Sequence, residues 1–460
     1  MEKAMQIKTG SRRRLAKALL IAGLSLGYFM VLLDTTVVNV APPAIRADLG
    51  GGISGLQWVV NAYTIVFAGF LLSMGGLADK LGARRVYVGG LILFLAASAL
   101  SAAASSLGML IALRAVLGVG GAALTPASLT LIAHAFPEPS ARARALGVWA
   151  AVTGIAMAAG PVVGGLLADS FGWRSIFLLN VPLAVIGLAI VLPLGAETAR
   201  KRRRLDWTGQ WTAVTAIAAL SFALMEGPVY GWASPVVMAA FVLALLGAVL
   251  FVRAETKGAD PLLPFGLFRD ATVSAGMFAG MAVNIGLSGV LFVMPLFFQQ
   301  TLGLTAHAAG LVLLPMTVPL AFNPIVTGRV VSRIGARIPM TSGFLLAAIG
   351  TFMQLRIVYG SGYAVPLIGL FLIGLGVSFT IPALMTAVIG AAPQEQTGAV
   401  SGALNSSRQL GATLGVALIG SIIGGSPSPA AGMRLALSVT AVILFAGSLL
   451  SLTFIGRKTR

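Results

Sequence analysis

The sequence contains no cysteine and only two histidines, His134 and His307. Without thiols the chain forms neither a disulfide nor a thiolate metal site. Two histidines do not supply the ligands of a histidine-based metal centre. Charge is scarce as well, since 10% of the residues are charged, against roughly 25% in a soluble domain. We therefore expect no metal, no cofactor and an outer surface that mostly faces lipid.

Apolar segments account for most of the chain, because 58% of its 460 residues are hydrophobic. A helix needs about 20 apolar residues to cross the hydrocarbon core of a bilayer. Fourteen segments meet this requirement, which predicts an all-α membrane protein with 14 transmembrane helices. The predicted spans are 17–42, 56–77, 86–105, 108–135, 141–168, 174–195, 207–226, 233–252, 271–298, 306–331, 338–358, 363–390, 397–424 and 433–456.

Lysine and arginine lie almost entirely on one side of these spans. The exceptions are Arg46, Arg174, Arg356 and Arg434 on the opposite side, and Arg114 and Arg408 inside spans. Because loops rich in basic residues stay in the cytoplasm, this pattern predicts a multi-pass protein of the cell (inner or plasma) membrane with both termini cytoplasmic. The net charge of +18 is then a topology signal. A nucleic-acid partner would require a basic patch on one soluble face, so we expect none.

The two halves of the chain repeat each other. The segment 77–84 returns at 330–337, and the segment 117–127 returns at 373–383 with its glycines and its proline in register. Repeated halves that enclose a site at the membrane midplane are a common design of secondary transporters. The predicted organisation is a cytoplasmic tail (1–16), a first six-helix bundle (17–198), a linker with spans 7 and 8 (199–270), a second six-helix bundle (271–456) and a tail (457–460).

Several motifs occur in a fixed order along the chain. They are L-D-T-T-V-V-N-V-A-P-P from Leu33, G-L-A-D-K-L-G-A-R-R from Gly76, L-I-A-L-R-A-V-L-G-V-G-G-A-A around Arg114, G-I-A-M-A-A-G-P-V-V-G-G from Gly154, W-R-S-I-F-L-L-N-V-P from Trp173 and S-G-A-L-N-S-S-R-Q-L-G from Ser401. Together they resemble the major facilitator superfamily, in its fourteen-span drug:proton antiporter branch. S-F-A-L-M-E-G-P from Ser221 further resembles antibiotic exporters of the methylenomycin-resistance type. The resemblance implies a major facilitator fold of two six-helix bundles plus two inserted helices, and a monomer.

Asp34 and Arg114 are charged residues inside predicted spans. At about 1.5 Å per residue they lie about 12 Å and about 10 Å from the outer ends of their spans, at similar depth. A charge inside the membrane is costly unless it is paired or hydrated, and it is functional by default. We therefore predict proton coupling at Asp34, with Arg114 acting on it directly or electrostatically. The alternatives are a static ion pair, or a carboxylate hydrogen-bonded by Thr35 and Thr36.

The second motif lies in the short loop predicted between spans two and three. The resemblance implies a cytoplasmic gate made of Gly76, Asp79, Gly82, Arg84 and Arg85. A carboxylate there caps a helix N-terminus and pairs with the arginines, which would latch one conformation. The second copy of the repeat has Ser332 in place of Asp79, so such a latch would be asymmetric. The alternative is a solvated turn.

The glycine-rich motif of span five predicts close helix packing and a bend. Its residues are Gly154, Gly160, Pro161, Gly164 and Gly165, and the resemblance makes them an antiporter motif that controls packing and leak. Simple packing is the alternative.

Other polar and aromatic residues are weaker candidates for a site. Glu226 is predicted at the outer end of span seven, either as an interfacial carboxylate or as a secondary proton or cation site. His134 and His307 are predicted close to loops, with a proton relay as the alternative. Aromatic, amide and methionine side chains at inward positions are candidates for a greasy substrate pocket. They are Tyr28, Trp58, Asn61, Tyr63, Trp149, Met157, Asn284, Phe292 and Gln299.

Together these features predict a proton-coupled exporter of lipophilic small molecules, neutral or monocationic, that works by alternating access. An exporter of an endogenous metabolite, or an importer, is the second hypothesis, because fold resemblance alone does not decide function. A third class, an ATP-driven pump or membrane enzyme, lacks support. The chain has no G-x-x-x-x-G-K-S/T motif, and the glycines from Gly118 lie in an apolar span without an adjacent strand.

Overall fold

The computed structural model describes residues 2–198, 206–257, 265–358, 364–392 and 397–456. Within these ranges the secondary structure is helical, with no strand. The helices of the first half are α1 (Glu2–Val37), α2 (Pro42–Leu49), α3 (Ile53–Leu81), α4 (Ala83–Ala102), α5 (Leu107–Ala135), α6 (Pro139–Phe171), α7 (Arg174–Leu178) and α8 (Asn180–Leu194).

The helices of the middle and second half complete the described chain. They are α9 (Trp207–Tyr230), α10 (Pro235–Lys257), α11 (Ala271–Gln300), α12 (Ala306–Val312), α13 (Leu314–Ile334), α14 (Arg337–Met353), α15 (Leu355–Val358), α16 (Ala364–Ala391), α17 (Thr397–Gly424) and α18 (Pro429–Phe454). The basic segments predicted at 200–204 and 457–460, and the break predicted at Pro393, lie outside the described residues.

Each of the fourteen predicted spans corresponds to helical structure. Not every one of these helices is long and apolar enough to cross a membrane. In the described ranges, eleven helices are long and apolar enough to cross a membrane, and a twelfth qualifies if α12 and α13, bent by 48°, are one span. Helix α14 has 17 residues, and α17 carries a polar stretch around Arg408. The protein is a multi-pass membrane protein, and the count of fourteen stays a prediction.

Helix ends are defined by capping side chains and by glycines with positive φ. Ser106 accepts a hydrogen bond from the backbone N–H of Met109, and Asp270 accepts from the first turn of α11. Glu138 caps α6, and the hydrogen bonds from Ser140 and then Ala141 hold the pKa of Glu138 below its ordinary value. Gly82, with φ of 97°, makes the sharp turn between α3 and α4 that other residues rarely adopt.

The repeated glycines make equivalent contacts in the two halves. A Cβ on Gly118 of α5 would lie 2.6 Å from the backbone of α3, and one on Gly120 would lie 3.1 Å from the backbone of α4. In the second half, a Cβ on Gly374 of α16 would lie 2.0 Å from the backbone of α13, and one on Gly376 would lie 2.3 Å from that of α14. Both copies therefore use small residues to bring three helices together.

The loops define two faces of the helix assembly. We name the face with the tight turns at Gly82 and Gly335 the basic face, and the face with α2 and Gly172 the far face. Helix α3 packs on α17 and α6 packs on α12 and α13, so the first half contacts the second through these helices. Helix α9 lies against both α3 and α17, whereas α10 is mostly exposed, as expected of a lipid-facing helix.

Candidate functional site

A buried ion pair lies inside the first half. The Asp34 carboxylate, on α1, forms an ion pair with the Arg114 guanidinium, on α5, and accepts a hydrogen bond from its Nη1. The exposed fractions of the two residues are 0% and 1%. Placing two charges away from water is costly unless each has partners, so the surrounding groups decide whether this arrangement is stable.

Both members of the pair have further partners. Arg114 Nε donates to the carbonyl of Val59 on α3 at 2.9 Å, and its guanidinium lies 4.6 Å from the centre of the Tyr63 ring. Asn180 Nδ2 donates to Asp34 Oδ1 at 3.3 Å. The Tyr63 hydroxyl donates to the Val31 carbonyl at 3.0 Å, which fixes the ring under the guanidinium. The site thus joins α1, α3, α5 and α8.

The alternative in which Thr35 and Thr36 bind the Asp34 carboxylate is not the arrangement observed. The Thr35 hydroxyl donates to the Leu32 carbonyl and the Thr36 hydroxyl to the Leu33 carbonyl, as is usual for these residues inside helices. Asn180, which was not among the predicted site residues, takes that place. Its position in the W-R-S-I-F-L-L-N-V-P motif was the only signal in the sequence.

The predicted gate residues are placed differently from the expectation. Asp79 lies in the last turn of α3, and the loop reduces to Gly82, so Asp79 is not at the start of a helix. Arg84 Nη1 lies 2.9 Å from Glu197 Oε1, and Arg85 Nε lies 3.7 Å from Glu197 Oε2. Glu197, just beyond the end of α8, was not predicted, because nothing in the local sequence indicates this contact.

The arginine of this turn is used in the same way in both halves. Arg84 Nη2 donates to the Leu192 carbonyl at 2.5 Å, and Arg337 Nη2 donates to the Leu452 carbonyl. In each half the turn is therefore fastened to the end of the last helix. In the first half the arginines of this turn also pair with a carboxylate, that of Glu197. The predicted asymmetry concerned Asp79 and Ser332, and it stays a prediction.

Replacing Glu197 with glutamine removes the ion pairs of Arg84 and Arg85 and keeps the side-chain size. Because the Arg84 and Glu197 side chains are 28% and 48% exposed, the lost interaction is worth about 0–1 kcal/mol. We expect thermal unfolding of the purified variant in detergent, followed by tryptophan fluorescence, within about 3 °C of the wild type. A much larger loss would mean that Glu197 latches a whole conformation.

The glycines of span five permit close contacts on both sides of α6. A Cβ on Gly160 would lie 1.9 Å from Thr36 Oγ1, and one on Gly164 would lie 2.6 Å from the Val37 carbonyl, both in the first half. A Cβ on Gly154 would lie 2.5 Å from the backbone of Ala321, and one on Gly165 would lie 2.3 Å from the backbone of Ala306, both in the second half. A Cβ on Gly310, in the second half, would in turn lie 2.2 Å from the carbonyl oxygen of Pro161. Packing is thus observed at this motif, and its role in leak control stays a prediction.

Hydrogen bonds between the two halves lie at the far face. The Asp169 carboxylate on α6 accepts from the backbone N–H groups of Ala306 and His307, at 3.1 and 2.7 Å, and so caps α12. Gln57 Nε2 on α3 donates to two carbonyls of α17 at 2.9 Å each. Gln299 Nε2 donates to the Val40 carbonyl at 3.0 Å. These contacts join the halves at the far face, as in a transporter that is closed on that side.

The nine pocket candidates divide into three groups. Tyr28, Trp149, Met157 and Asn284 lie toward the middle of the assembly, and the first two have stacked rings with centroids 3.9 Å apart. Trp58, Asn61 and Gln299 take part in the far-face contacts. Tyr63 belongs to the ion-pair site, and Phe292 is fully buried in the core. Tyr63 and Phe292, like Asn61, are fully buried in this conformation, and the pocket assignment stays a prediction.

Glu226 lies within α9 and faces α3. Its Oε1 accepts hydrogen bonds from the Ser54 hydroxyl at 2.5 Å and from Trp58 Nε1 at 2.9 Å. A cavity of about 320 Å³ at the far face is lined by Glu226 together with residues of α3 and α17. Both of its predicted interpretations, an interfacial carboxylate and a secondary site, stay open.

The two histidines lie at helix ends. His134 is exposed in the last turn of α5, and His307 lies in the first turn of α12, in agreement with their prediction near loops. At the far face, Arg174 and then Trp173 hold the pKa of Asp48 below its ordinary value through hydrogen bonds. In the described ranges, no three His, Cys, Asp or Glu side chains form a group that could hold a metal ion.

Comparison with known proteins agrees with this architecture. The model of the Major Facilitator Superfamily matches residues 24–207 and 195–416. The chain is 36% identical to the methylenomycin A resistance protein of Streptomyces coelicolor over 91% of this chain and 88% of that protein. It is 37% identical to the multidrug resistance protein Stp of Mycobacterium tuberculosis, over 86% of this chain and 74% of that protein.

A solved structure described as a D-xylose-proton symporter superposes with a TM-score of 0.69, at 15% identity, over 95% of this chain and 97% of that one. This likeness concerns the fold alone. The chain belongs to the major facilitator superfamily, and the predicted fold class is confirmed. Its relatives include proteins named for resistance to antibiotics and to multiple drugs.

Proposed function

We propose that the protein is a proton-coupled exporter of lipophilic drug-like molecules, a drug:proton antiporter of the plasma membrane. The names of its relatives support the substrate class. The basic loops support a cytoplasmic location for the basic face and both termini. Protons and a small lipophilic molecule would be its partners within the lipid bilayer, and a monomer is sufficient, because the ion-pair site lies within one chain.

One observation carries the proposal: Asp34, an acid deep inside a span, is fully buried and ion-paired with Arg114. A buried carboxylate of this kind carries a proton across the membrane if its two charge states favour different conformations. Protonation of Asp34 would remove its attraction to Arg114 and leave the guanidinium with the Val59 carbonyl and the Tyr63 ring. The contact between α1 and α5 would weaken as a result.

The transport cycle follows from this difference. In the conformation observed, which is closed at the far face, Asp34 is paired with Arg114. Opening of the far face would give external protons access to Asp34. Protonation of Asp34 would then lower the affinity of the protein for the substrate. Closure would then bring the proton to the cytoplasmic side, where its release restores the ion pair. Reciprocal effects of proton and substrate on each other's binding are the thermodynamic requirement for such exchange.

Everted membrane vesicles that contain the protein test this proposal. With an imposed proton gradient, we expect uptake of a lipophilic fluorescent dye into the vesicles, and a protonophore should abolish it. A drug-susceptibility panel in a host without its own efflux pumps would identify substrates among antibiotics, dyes and biocides. If no compound of the panel loses potency, the second candidate, export of an endogenous metabolite, replaces the first.

A further inference from the structure

Arg408 is a second cation deep inside the membrane. It lies 11 positions after the first residue of α17, Thr397, and therefore about 16 Å along a helix that starts at the basic face. Since a charge at this depth is costly unless it is paired or hydrated, such residues face the protein interior or a cavity and serve a function. The proposed proton-coupling pair does not include Arg408.

Arg408 has far fewer partners than Arg114. Its Nη1 donates to Asn405 Oδ1 over a long 3.4 Å, and its Nε is buried without a hydrogen-bond partner. None of the ion pairs among the described residues includes Arg408. The intramembrane acid Asp34 is already paired with Arg114. The guanidinium of Arg408, which is partly buried, therefore has no acidic counter-charge among the described residues.

Its surroundings belong to both halves of the protein. On the side of the second half, Gly280 of α11 makes room for the Arg408 side chain, since a Cβ there would lie 3.1 Å from Arg408 Cγ. From the first half, Tyr28 of α1 lies within electrostatic range of the guanidinium. The Tyr28 ring is stacked on Trp149 of α6, and both side chains are partly accessible.

This arrangement has the chemistry of a site for an amphipathic anion. A guanidinium forms strong, charge-assisted hydrogen bonds with a carboxylate, often two in parallel. A stacked aromatic pair beside it offers a flat apolar surface for the ring of a lipophilic molecule. We propose that Arg408 binds the anionic group of the substrate, and that the transported compounds include lipophilic organic carboxylates. This inference rests on the proposed function and names a substrate class for it.

The proposal differs from the neutral or monocationic substrates predicted from the sequence. The sequence prediction assumed that the Asp34 carboxylate is the charged group that the substrate meets. In the structure the Asp34 carboxylate is occupied by Arg114 and Asn180, so it does not offer an anion to a cationic substrate in this conformation. Arg408, by contrast, offers a positive charge that has no acidic partner among the described residues.

Binding of two matched dyes tests the site. The probes are a rhodamine with a free carboxylate and the methyl ester of the same rhodamine, titrated into purified protein in detergent and followed by fluorescence anisotropy. We expect the wild type to bind the free acid about tenfold more tightly than the ester. Arg408→Gln should lose this preference while its affinity for the ester stays unchanged, and Arg408→Lys should keep part of it.

The controls separate recognition from structure. Arg434→Gln, an exposed arginine of α18, should keep the wild-type preference for the free acid. The proposal is overturned if Arg408→Gln still prefers the acid, if it weakens both dyes equally, or if the wild type binds neither dye. Because binding in detergent needs no proton gradient, it is independent of transport. A preference at Arg408 without proton-driven export would refute the proposed function alone, and proton-driven export without the preference would refute this site alone.

Discussion

Asp34→Asn is expected to abolish proton-driven export. The amide has nearly the size of the carboxylate and its oxygen still accepts a hydrogen bond from Asn180. Unlike the carboxylate, however, the amide does not titrate, so it carries no proton across the membrane. Coupling free energies of about 1–3 kcal/mol are typical, so their loss reduces coupled transport by about tenfold or more. The measurement is dye uptake into everted vesicles driven by a pH gradient, at equal amounts of inserted protein.

A second readout separates coupling from folding. The neutral side chain leaves the Arg114 guanidinium buried without a counter-charge, which destabilises proteins by about 3–5 kcal/mol. The double variant Asp34→Asn with Arg114→Gln removes both charges and should regain thermal stability but not proton-driven export. Asp48→Asn, an acid at the exposed far face, is the matched control and should transport normally. Full proton-driven export by Asp34→Asn would refute the coupling role.

Gly165→Ala is expected to prevent closure of the far face. The new methyl group would lie 2.3 Å from the Ala306 carbonyl oxygen, and neither it nor that backbone atom is able to move aside without separating α6 from α12. Forced overpacking of this kind costs about 1–3 kcal/mol. The Asp169 cap on α12, one helical turn away, would be lost with the contact.

The absence of cysteine makes this closure directly measurable. Ala306→Cys introduces a single thiol at a buried position of the interface, and a membrane-impermeant maleimide applied from outside reports its exposure. We expect labelling to rise about tenfold when Gly165→Ala is added, the change that corresponds to about 1.4 kcal/mol. Gly147→Ala on the same helix, where a Cβ meets nothing within 4 Å, should leave labelling unchanged. Equal labelling in both backgrounds would contradict the packing argument.

The fold was largely predictable from the sequence because a bilayer imposes strong rules on composition. Apolar length located the helices, and the repeated segments of α5 and α16 indicated that the two halves are copies of one unit. Equal depth along two spans was sufficient to bring Asp34 and Arg114 together as a hypothesis, and the structure joins them. Each of these inferences needs only local information.

What could not be predicted depends on the packing of distant segments. Glu197 pairs with arginines more than a hundred positions earlier, and Asp169 caps a helix in the other half of the chain. The pocket residues stay a prediction, because periodicity gives the inward direction but does not distinguish a buried core position, such as that of Tyr63 or Phe292, from the wall of a cavity. Arg408 was visible in the sequence as an intramembrane charge, but only the structure shows that it lacks an acidic partner among the described residues.

The inserted helix α9 is attached unequally to the two halves that it touches. Gln210 is hydrogen-bonded to the Gly69 carbonyl and to Ser73 on α3, and Glu226 binds Ser54 and Trp58 at the opposite end of the same helix. Helix α9 also packs against α17, and Pro228 lies close to Gly425, just beyond the end of that helix. We therefore expect the insert to move together with the first bundle when the two bundles rotate relative to each other during transport.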